Sequence, residues 1–176
     1  RTSTLMHAGM LLAAIGAGGR GHFGAALLVA VTLVLAVGGL GLMTSALENR
    51  QGPVSLLGPS VGRARAFPRL ATAFAFFAAA GVGMPGTAGF IADDLLLHAL
   101  WQESAISTVI IIFASAILAV ASLNILAKGF FGSPLQTRVR DLLGRERGAV
   151  LVMVILLLVL GLFPQVLVNS AELALG

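Results

Sequence analysis

The sequence predicts an all-α integral membrane protein, a bundle of about six transmembrane helical segments in which one element is broken at a Pro-Gly pair. Of its 176 residues, 58% are hydrophobic and only 10% are charged, and the mean hydropathy is +1.01. Water is a poor solvent for so apolar a chain. Lipid offers no hydrogen bonds to the backbone, so only helices or closed barrels can span it. Residues 150–156 are apolar on every face, which favours helices over alternating barrel strands.

Six apolar segments make up most of the chain, and we expect them to form a single transmembrane domain over residues 1–176. A spanning helix needs roughly 20 residues to cross about 30 Å of hydrocarbon. The segments are residues 4–17, 23–47, 70–84, 87–101, 104–127 and 149–163. Two polar links contain arginines: residues 48–69 follow the second segment, and residues 133–148 follow the fifth. We predict that both links lie in water.

The Pro85-Gly86 pair leaves two topologies open, because the segments on either side of it form either one broken span or two short ones. Residues 70–101 are too long for one untilted helix, which favours two elements with an irregular joint. One span would put both arginine-containing links on the same side of the membrane, as the positive-inside rule prefers. Two spans would put them on opposite sides.

Charge and cysteine content exclude several classes of function. The formal net charge is +4, but the 11 Lys and Arg residues lie between apolar runs and form no basic face, so we expect no nucleic-acid partner. The chain has no cysteine, which excludes disulfides, iron–sulfur clusters and thiolate metal sites within it. No nucleophile stands at a recognisable spacing from a base, which argues against a hydrolytic enzyme.

Three ionisable residues lie inside apolar sequence after the Pro-Gly pair: Asp93, Asp94 and His98. Asp94 and His98 are spaced i,i+4 on one helix face and can pair, whereas Asp93 points about 100° away from Asp94. A buried aspartate costs about 2.5–3.5 kcal/mol at the centre of a membrane helix, which indicates a functional role such as binding and releasing a proton. The alternative is a short interfacial helix whose aspartates lie near water.

Two further features fit an ion path, and each has an ordinary structural alternative. Helices broken by Gly or Pro often line such paths, so Pro85 and Gly86 are candidates for a functional break, but the same pair also makes a tight turn between spans. His7 is a candidate proton relay or a packing residue. Lys128 is a candidate cationic relay group; alternatively, its side chain extends to place the charge at the membrane–water interface.

Four motifs in order resemble one family, which comprises the antiporter-like subunits of respiratory complex I, membrane-bound hydrogenase subunits and Mrp-type cation/proton antiporters. Residues 83–90 read G-M-P-G-T-A-G-F, and an ionisable residue, Asp93, follows three positions later. Residues 3–9 resemble the family's S-[ST]-x-x-H-x-G run, residues 128–132 its basic-x-aromatic-F-G run, and residues 161–164 its G-x-x-P ending.

The resemblance implies a proton-translocating subunit in which Asp93 takes the position of a half-channel Glu or Lys, communicating with His7 and Lys128. It implies membrane subunits, the lipid bilayer and protons or monovalent cations as partners, and no cofactor in this chain, since redox cofactors belong to other subunits of an NADH:quinone oxidoreductase-like complex. It also implies a multi-pass subunit of a bacterial inner (cell) membrane. The chain starts at Arg1 with no signal-peptide pattern, and we expect it to be the C-terminal part of a longer parent subunit.

Three other functions stay open. One is a stand-alone or Mrp-type Na⁺(K⁺)/H⁺ antiporter that uses Asp93 as part of a cation site, and another is the membrane partner of an inorganic-carbon uptake system. The third is a degenerate subunit kept for assembly. Many relatives carry a histidine or lysine in the second segment, whereas the polar side chains of residues 23–47 are only Thr32, Thr44 and Ser45.

Overall fold

The computed structural model describes residues 2–17, 20–52, 61–134 and 141–165. The helices are α1 (Thr2–Ala17), α2 (Arg20–Thr32), a π-helical turn (Leu33–Val37), α3 (Gly38–Gln51), α4 (Arg63–Ala66), α5 (Pro68–Ala80), α6 (Ala88–Glu103), α7 (Ala105–Phe130) and α8 (Gly144–Leu162). Two short strands, β1 (Val61–Gly62) and β2 (Ser133–Pro134), pair in parallel. Because α2, the π-helical turn and α3 are continuous, we call them the continuous helix.

The predicted fold class is confirmed, since each of the six apolar segments contains a long helix. With the four-residue α4, which the sequence did not predict, the described part of the chain has seven helical segments. Two helices in this part, Gly24–Gln51 and Ala105–Phe130, are long and apolar enough to cross a membrane. Only 6% of the apolar window of the second is buried, so most of α7 presents apolar side chains outward.

Helices α5 and α6 form two elements with an irregular joint, as predicted, and they lie end to end along the continuous helix. Helix α5 packs against α3 and the π-helical turn, whereas α6 packs mainly against α2. A Cβ on Gly39 would lie 2.5 Å from Phe77 Cδ1, and one on Gly89 would lie 3.4 Å from Thr32 Cγ2. The earlier helix, α5, therefore contacts the later part of the continuous helix, and the later helix, α6, contacts its earlier part. Helices α5 and α6 thus form one discontinuous unit that runs antiparallel to the continuous helix.

The core consists of two clusters on either side of the joint. The first cluster lies between α3 and α5, with Phe130 of α7 and Leu157 of α8 beside it. The second lies between α1, α2 and α6, and contains Met10, Leu28 and Leu96. The burial of these apolar side chains holds each half of the discontinuous pair against the continuous helix. The joint is thus fixed at the boundary between the two clusters.

Polar contacts join both arginine-containing links at one end of the bundle, which we call the polar end. Arg50, in the last turn of α3, donates hydrogen bonds to Glu146 Oε2 at 2.5 Å and to the Asp141 carbonyl at 2.8 Å. The carboxylate of Asp141 accepts bonds from the backbone N–H groups of Arg69 and Leu70 and so caps α5. Both links therefore lie at the same end of the bundle, as the one-span alternative predicts. The two-span topology, which the length of residues 70–101 favoured, is wrong, because α5 and α6 stack end to end.

The Arg50–Glu146 pair makes stability depend on pH in acid. Glu146 precedes the apolar part of α8; burial raises its pKa, but hydrogen bonds from Arg50 and the Leu143 N–H and the charges of Arg50 and Arg145 lower it more, to below the ordinary 4.5. The pair therefore stabilises the fold fully above about pH 4.5, and this contribution is lost as pH falls through the folded-state pKa.

We expect thermal unfolding of the full protein in detergent to show this loss. The difference in midpoint between the wild type and Glu146→Gln should be constant near neutral pH and should shrink below about pH 4.5. A difference that stays constant into strong acid would contradict a role for the ionised carboxylate. Glu48→Gln, at an exposed glutamate of α3, is the control.

Candidate functional site

Residues 81–87 join α5 to α6 through two successive turns. The N–H groups of Met84 and Gly83 donate back to the carbonyls of Ala79 at 3.0 Å and Ala80 at 3.3 Å. Gly83 has a φ of 83° and Gly86 a φ of 88°, a region that side chains of L-residues rarely occupy. The sequence was therefore right to place a break at Pro85 and Gly86, and the glycines supply the backbone conformation that the break requires.

Thr87 stands at the N-cap of α6, but its side chain does not cap the helix. Its hydroxyl donates instead to the carbonyl of Met84 at 2.7 Å, and its own N–H donates to the same carbonyl at 3.1 Å. The residue is fully buried. Thr87 therefore stabilises the turn and leaves the first N–H groups of α6 without a side-chain cap.

Asp93 lies in the second turn of α6 and is half-buried against the break. A Cβ on Gly83 would lie only 2.7 Å from Asp93 Oδ2, so the carboxylate occupies the space that a side chain at position 83 would fill. Among the described residues, no hydrogen bond or ion pair involves the Asp93 side chain. A carboxylate in contact with irregular backbone and without a fixed cation is suited to exchanging a proton or holding a cation.

A cavity of about 450 Å³ reaches the break from the side of α7. Gly83 and Met84 line it at the break, and Ser122 is its hydroxyl-bearing residue on α7. Gly83 therefore lies against both this cavity and the carboxylate of Asp93. The sequence favoured a packing role for the small and hydroxyl residues of α7, whereas Ser122 borders open space in the structure.

Asp94 and His98 form the pair that their spacing predicts, but on the exposed face of α6. His98 Nδ1 lies 3.4 Å from Asp94 Oδ1 and 2.9 Å from the Asp94 carbonyl oxygen. The side chain of Asp94 is 55% exposed, and that of His98 is 79% exposed. The structure therefore separates this pair from Asp93, which points toward the break.

His7 and Lys128 occupy contrasting positions. His7 is buried, with 3% exposure, in α1, which packs against α2, the π-helical turn and α6. At a helical rise of 1.5 Å per residue, His7 lies about 15 Å from the end of α1. Thr32 lies about 18 Å from the start of α2 on the same scale. The two residues therefore have similar depths in these neighbouring helices. Lys128 is exposed in the last turn of α7, near the polar end, and is not brought next to Asp93.

Four residues that shape the site were not predicted as site residues, although the three glycines lie in the motifs quoted above: Gly83, Gly89, Gly161 and Thr32. The glycines matter because backbone or side-chain atoms of another element occupy the place of a Cβ. Single glycines in apolar segments give no sign of this. The signal for Thr32 was present, since it is one of few polar residues in the second segment. Its burial, and the absence of a partner for its hydroxyl among the described residues, appear only in the structure.

Gly161 lets α8 pack directly on the break, which predicts a large effect of a small substitution. A Cβ there would lie 2.5 Å from the carbonyl oxygen of Gly86, with Thr87 backbone atoms equally close. We expect Gly161→Ala to destabilise the full protein by about 1–3 kcal/mol, the usual cost of overpacking. Gly148→Ala on the same helix, where a Cβ meets open space, should be neutral or stabilising. Equal unfolding midpoints for the two variants would contradict the contact.

Comparison with known proteins identifies similar sequences over the whole site. The family model described as "NADH:quinone oxidoreductase/Mrp antiporter, TM" matches residues 2–119. NADH-quinone oxidoreductase subunit M of Escherichia coli (strain K12) is 29% identical over 180 residues, which cover 99% of this chain and 35% of that protein. The subunit M of Pseudomonas aeruginosa is 33% identical over 99 residues, covering 56% of this chain and 19% of that protein.

Solved structures share the fold. A chain of respiratory complex I from Thermus thermophilus with bound NADH superposes with a TM-score of 0.85 and 28% identity, over 94% of this chain and 35% of that one. A chain of the Mrp complex from Dietzia sp. superposes with a TM-score of 0.83 over 96% of this chain and 40% of that one. Its 22% identity supports the fold alone. The present chain spans about a third of the curated subunit M from Escherichia coli.

Proposed function

Because this chain belongs to the NADH:quinone oxidoreductase/Mrp antiporter membrane family, a membership shown by the match over residues 2–119, we propose that it is the C-terminal part of a proton-translocating subunit. In this proposal, Asp93 binds a proton at the helix break and releases it toward the other side of the membrane. The parent subunit works within a multi-subunit complex of the NADH:quinone oxidoreductase type. It catalyses no redox step itself, and its driving reaction takes place in partner subunits.

The observation that carries the proposal is the contact between the Asp93 carboxylate and Gly83. It places an acidic group, half-buried and unpaired among the described residues, against irregular backbone between two helix halves. Unwound backbone at membrane depth is tolerated where it is buried in protein or lines a water-filled cavity, and the cavity of about 450 Å³ borders the same glycine. Water in this cavity can carry protons to and from the carboxylate.

The other candidate residues take supporting parts in the proposal. His7, buried at a depth similar to that of Thr32, is the second relay group inside the bundle. Asp94 and His98 are exposed on α6 and exchange protons at its outer face, and Lys128 does so at the polar end of α7. Membrane subunits, the lipid bilayer and protons or monovalent cations are the partners. The site of action is a bacterial inner membrane, which the parent subunit crosses several times.

Proton uptake by membrane vesicles tests this function. The vesicles contain the intact parent subunit with its own partner subunits, and a pH-sensitive dye reports uptake when the driving reaction starts. Uptake that persists without Na⁺ and K⁺, collapses with a protonophore and is absent from vesicles lacking the subunit supports the proposal.

Two other results would favour the rival functions. Uptake that requires Na⁺ or K⁺ and moves that ion in the opposite direction would indicate a cation/proton antiporter. If instead the complex requires the chain for assembly, yet translocation is unaffected by every substitution in the site, the assembly role is the right one. A dependence of bicarbonate accumulation on the chain would indicate the inorganic-carbon system.

A further inference from the structure

Thr32 is a buried polar residue whose hydroxyl has no protein partner in the part of the chain that the structure describes. It is 2% exposed, and its Oγ1 atom makes no hydrogen bond with any residue of the described ranges. The other buried threonines behave differently, since Thr87 donates to the Met84 carbonyl at 2.7 Å and Thr108 to the Ser104 carbonyl at 3.2 Å. Buried hydroxyls normally have a partner, and where protein supplies none an ordered water often does.

The backbone around Thr32 is irregular in a way that favours such a water. Thr32 is the last residue of α2, and the π-helical turn Leu33–Val37 begins immediately after it. At the end of the turn, the N–H of Gly38 is shared between the carbonyls of Val34 and Leu35. Short π-helical turns inside α-helices disturb the regular hydrogen-bond ladder and often mark functional sites. The continuous helix is therefore interrupted opposite the break in its partner.

Thr32 packs against Gly89 of α6, beside the carbonyl group of Ala80 in α5. A Cβ on Gly89 would meet Thr32 Cγ2 at 3.4 Å and would also clash with the carbonyl oxygen of Ala80. Gly89 and Asp93 are spaced i,i+4, so they share one face of α6. Thr32 therefore packs against the face of α6 that carries Asp93, one helical turn from that residue. A buried water needs two to four polar partners, and the Thr32 hydroxyl, the Ala80 carbonyl and the Asp93 carboxylate are the nearest candidates.

We propose that Thr32 Oγ1 holds an ordered water molecule between the continuous helix and the helix break, and that this water carries protons to and from Asp93. The inference rests on the proposed function and extends it to a helix whose segment 23–47 has no ionisable side chain. The water accepts the proton of the Asp93 carboxyl while it releases one of its own protons to the next water of the path. Thr32 is a positioning residue, and none of its bonds changes.

Substitutions at Thr32 in the intact complex test the water site. Thr32→Val keeps the shape and removes the hydroxyl, whereas Thr32→Ser keeps the hydroxyl. Thr44→Val is the matched control, because Thr44 lies on the same continuous helix and donates to the carbonyls of Leu40 and Gly41 within that helix. We expect Thr32→Val to slow proton uptake by vesicles about tenfold at matched accumulation, and Thr32→Ser and Thr44→Val to stay within about twofold of the wild type.

The outcomes separate this inference from the proposed function. Wild-type uptake in Thr32→Val, or equal loss in the Val and Ser variants, would overturn the inference while leaving the role of Asp93 intact. An absence of proton uptake in the wild type would instead defeat the proposed function. If the Val variant fails to accumulate, a high-resolution density map of the wild-type complex tests the site instead. A water peak within hydrogen-bond distance of Thr32 Oγ1 supports the water site, and the absence of such a peak overturns it.

Discussion

Replacing Asp93 by Asn is expected to reduce proton uptake by vesicles at least about a hundredfold while the complex still assembles. Asparagine has nearly the same shape as aspartate but cannot take up and release a proton. Because the Asp93 side chain makes no hydrogen bond or ion pair with any residue that the structure describes, the amide breaks no observed polar contact. The measurement is the initial rate of dye-reported uptake, normalised to the amount of subunit in the membrane.

Two matched variants show whether the titrating group itself matters. Asp93→Glu keeps the carboxyl group and should retain a substantial part of the rate, although the longer side chain presses on Gly83. Glu103→Gln neutralises an exposed acidic residue at the end of the same helix and should leave the rate near that of the wild type. Equal rates in Asp93→Asn and the wild type would remove Asp93 from the path. Equal loss in the Asn and Glu variants would mean that shape, and not protonation, is what position 93 supplies.

Replacing Arg50 by Ala is expected to destabilise the full protein by about 3 kcal/mol, the largest loss of stability expected from a single side chain at the polar end. The Arg50 side chain is 7% exposed, and Glu146 is 20% exposed. Removing Arg50 takes away the cationic donor to the Glu146 carboxylate and the hydrogen bonds to the Asp141 carbonyl. The Glu146 carboxylate keeps the Leu143 N–H as a donor. Because Asp141 also caps α5, the loss affects three helices at once. The measurement is the thermal unfolding midpoint in detergent.

Two control variants make the Arg50 result specific. Arg65→Ala removes an exposed arginine of α4 and should change the midpoint little. Arg50→Lys keeps the charge, but a lysine cannot reproduce the forked contacts with Glu146 and the Asp141 carbonyl, so it should recover only part of the stability. If Arg50→Ala unfolds at the same temperature as Arg65→Ala, the polar end does not hold the helices as we infer.

The sequence predicted the helices well because membrane spans leave a strong signal in composition. The second segment, residues 23–47, corresponds to the continuous helix of the structure, and the break was placed at the right residues because Pro and Gly interrupt helices for clear physical reasons. The π-helical turn was not predicted, since its residues are all apolar and resemble ordinary helix. The end-to-end arrangement of α5 and α6 depends on packing between segments far apart in the chain.

The candidate site was predicted in part. Asp93 was singled out because an acidic residue inside apolar sequence is costly, and the structure places it against the break. Thr32 was noted only as a polar residue of the second segment, because nothing local shows that no described residue bonds to its hydroxyl. Arg50 and Glu146 are 96 residues apart, so no local pattern could pair them. Lys128 was chosen for its charge, and its exposure became visible only in the fold.

The central claim is that Asp93 gains and loses a proton, and infrared difference spectroscopy on the intact parent complex in membranes tests it most directly. The carbonyl stretch of a protonated carboxyl group appears or disappears as a carboxylate titrates, and substitution identifies the residue. We predict a titrating carboxyl band in the wild type and in Asp94→Asn that shifts in Asp93→Glu and is missing in Asp93→Asn. A band of unchanged position and intensity in Asp93→Asn would contradict the account.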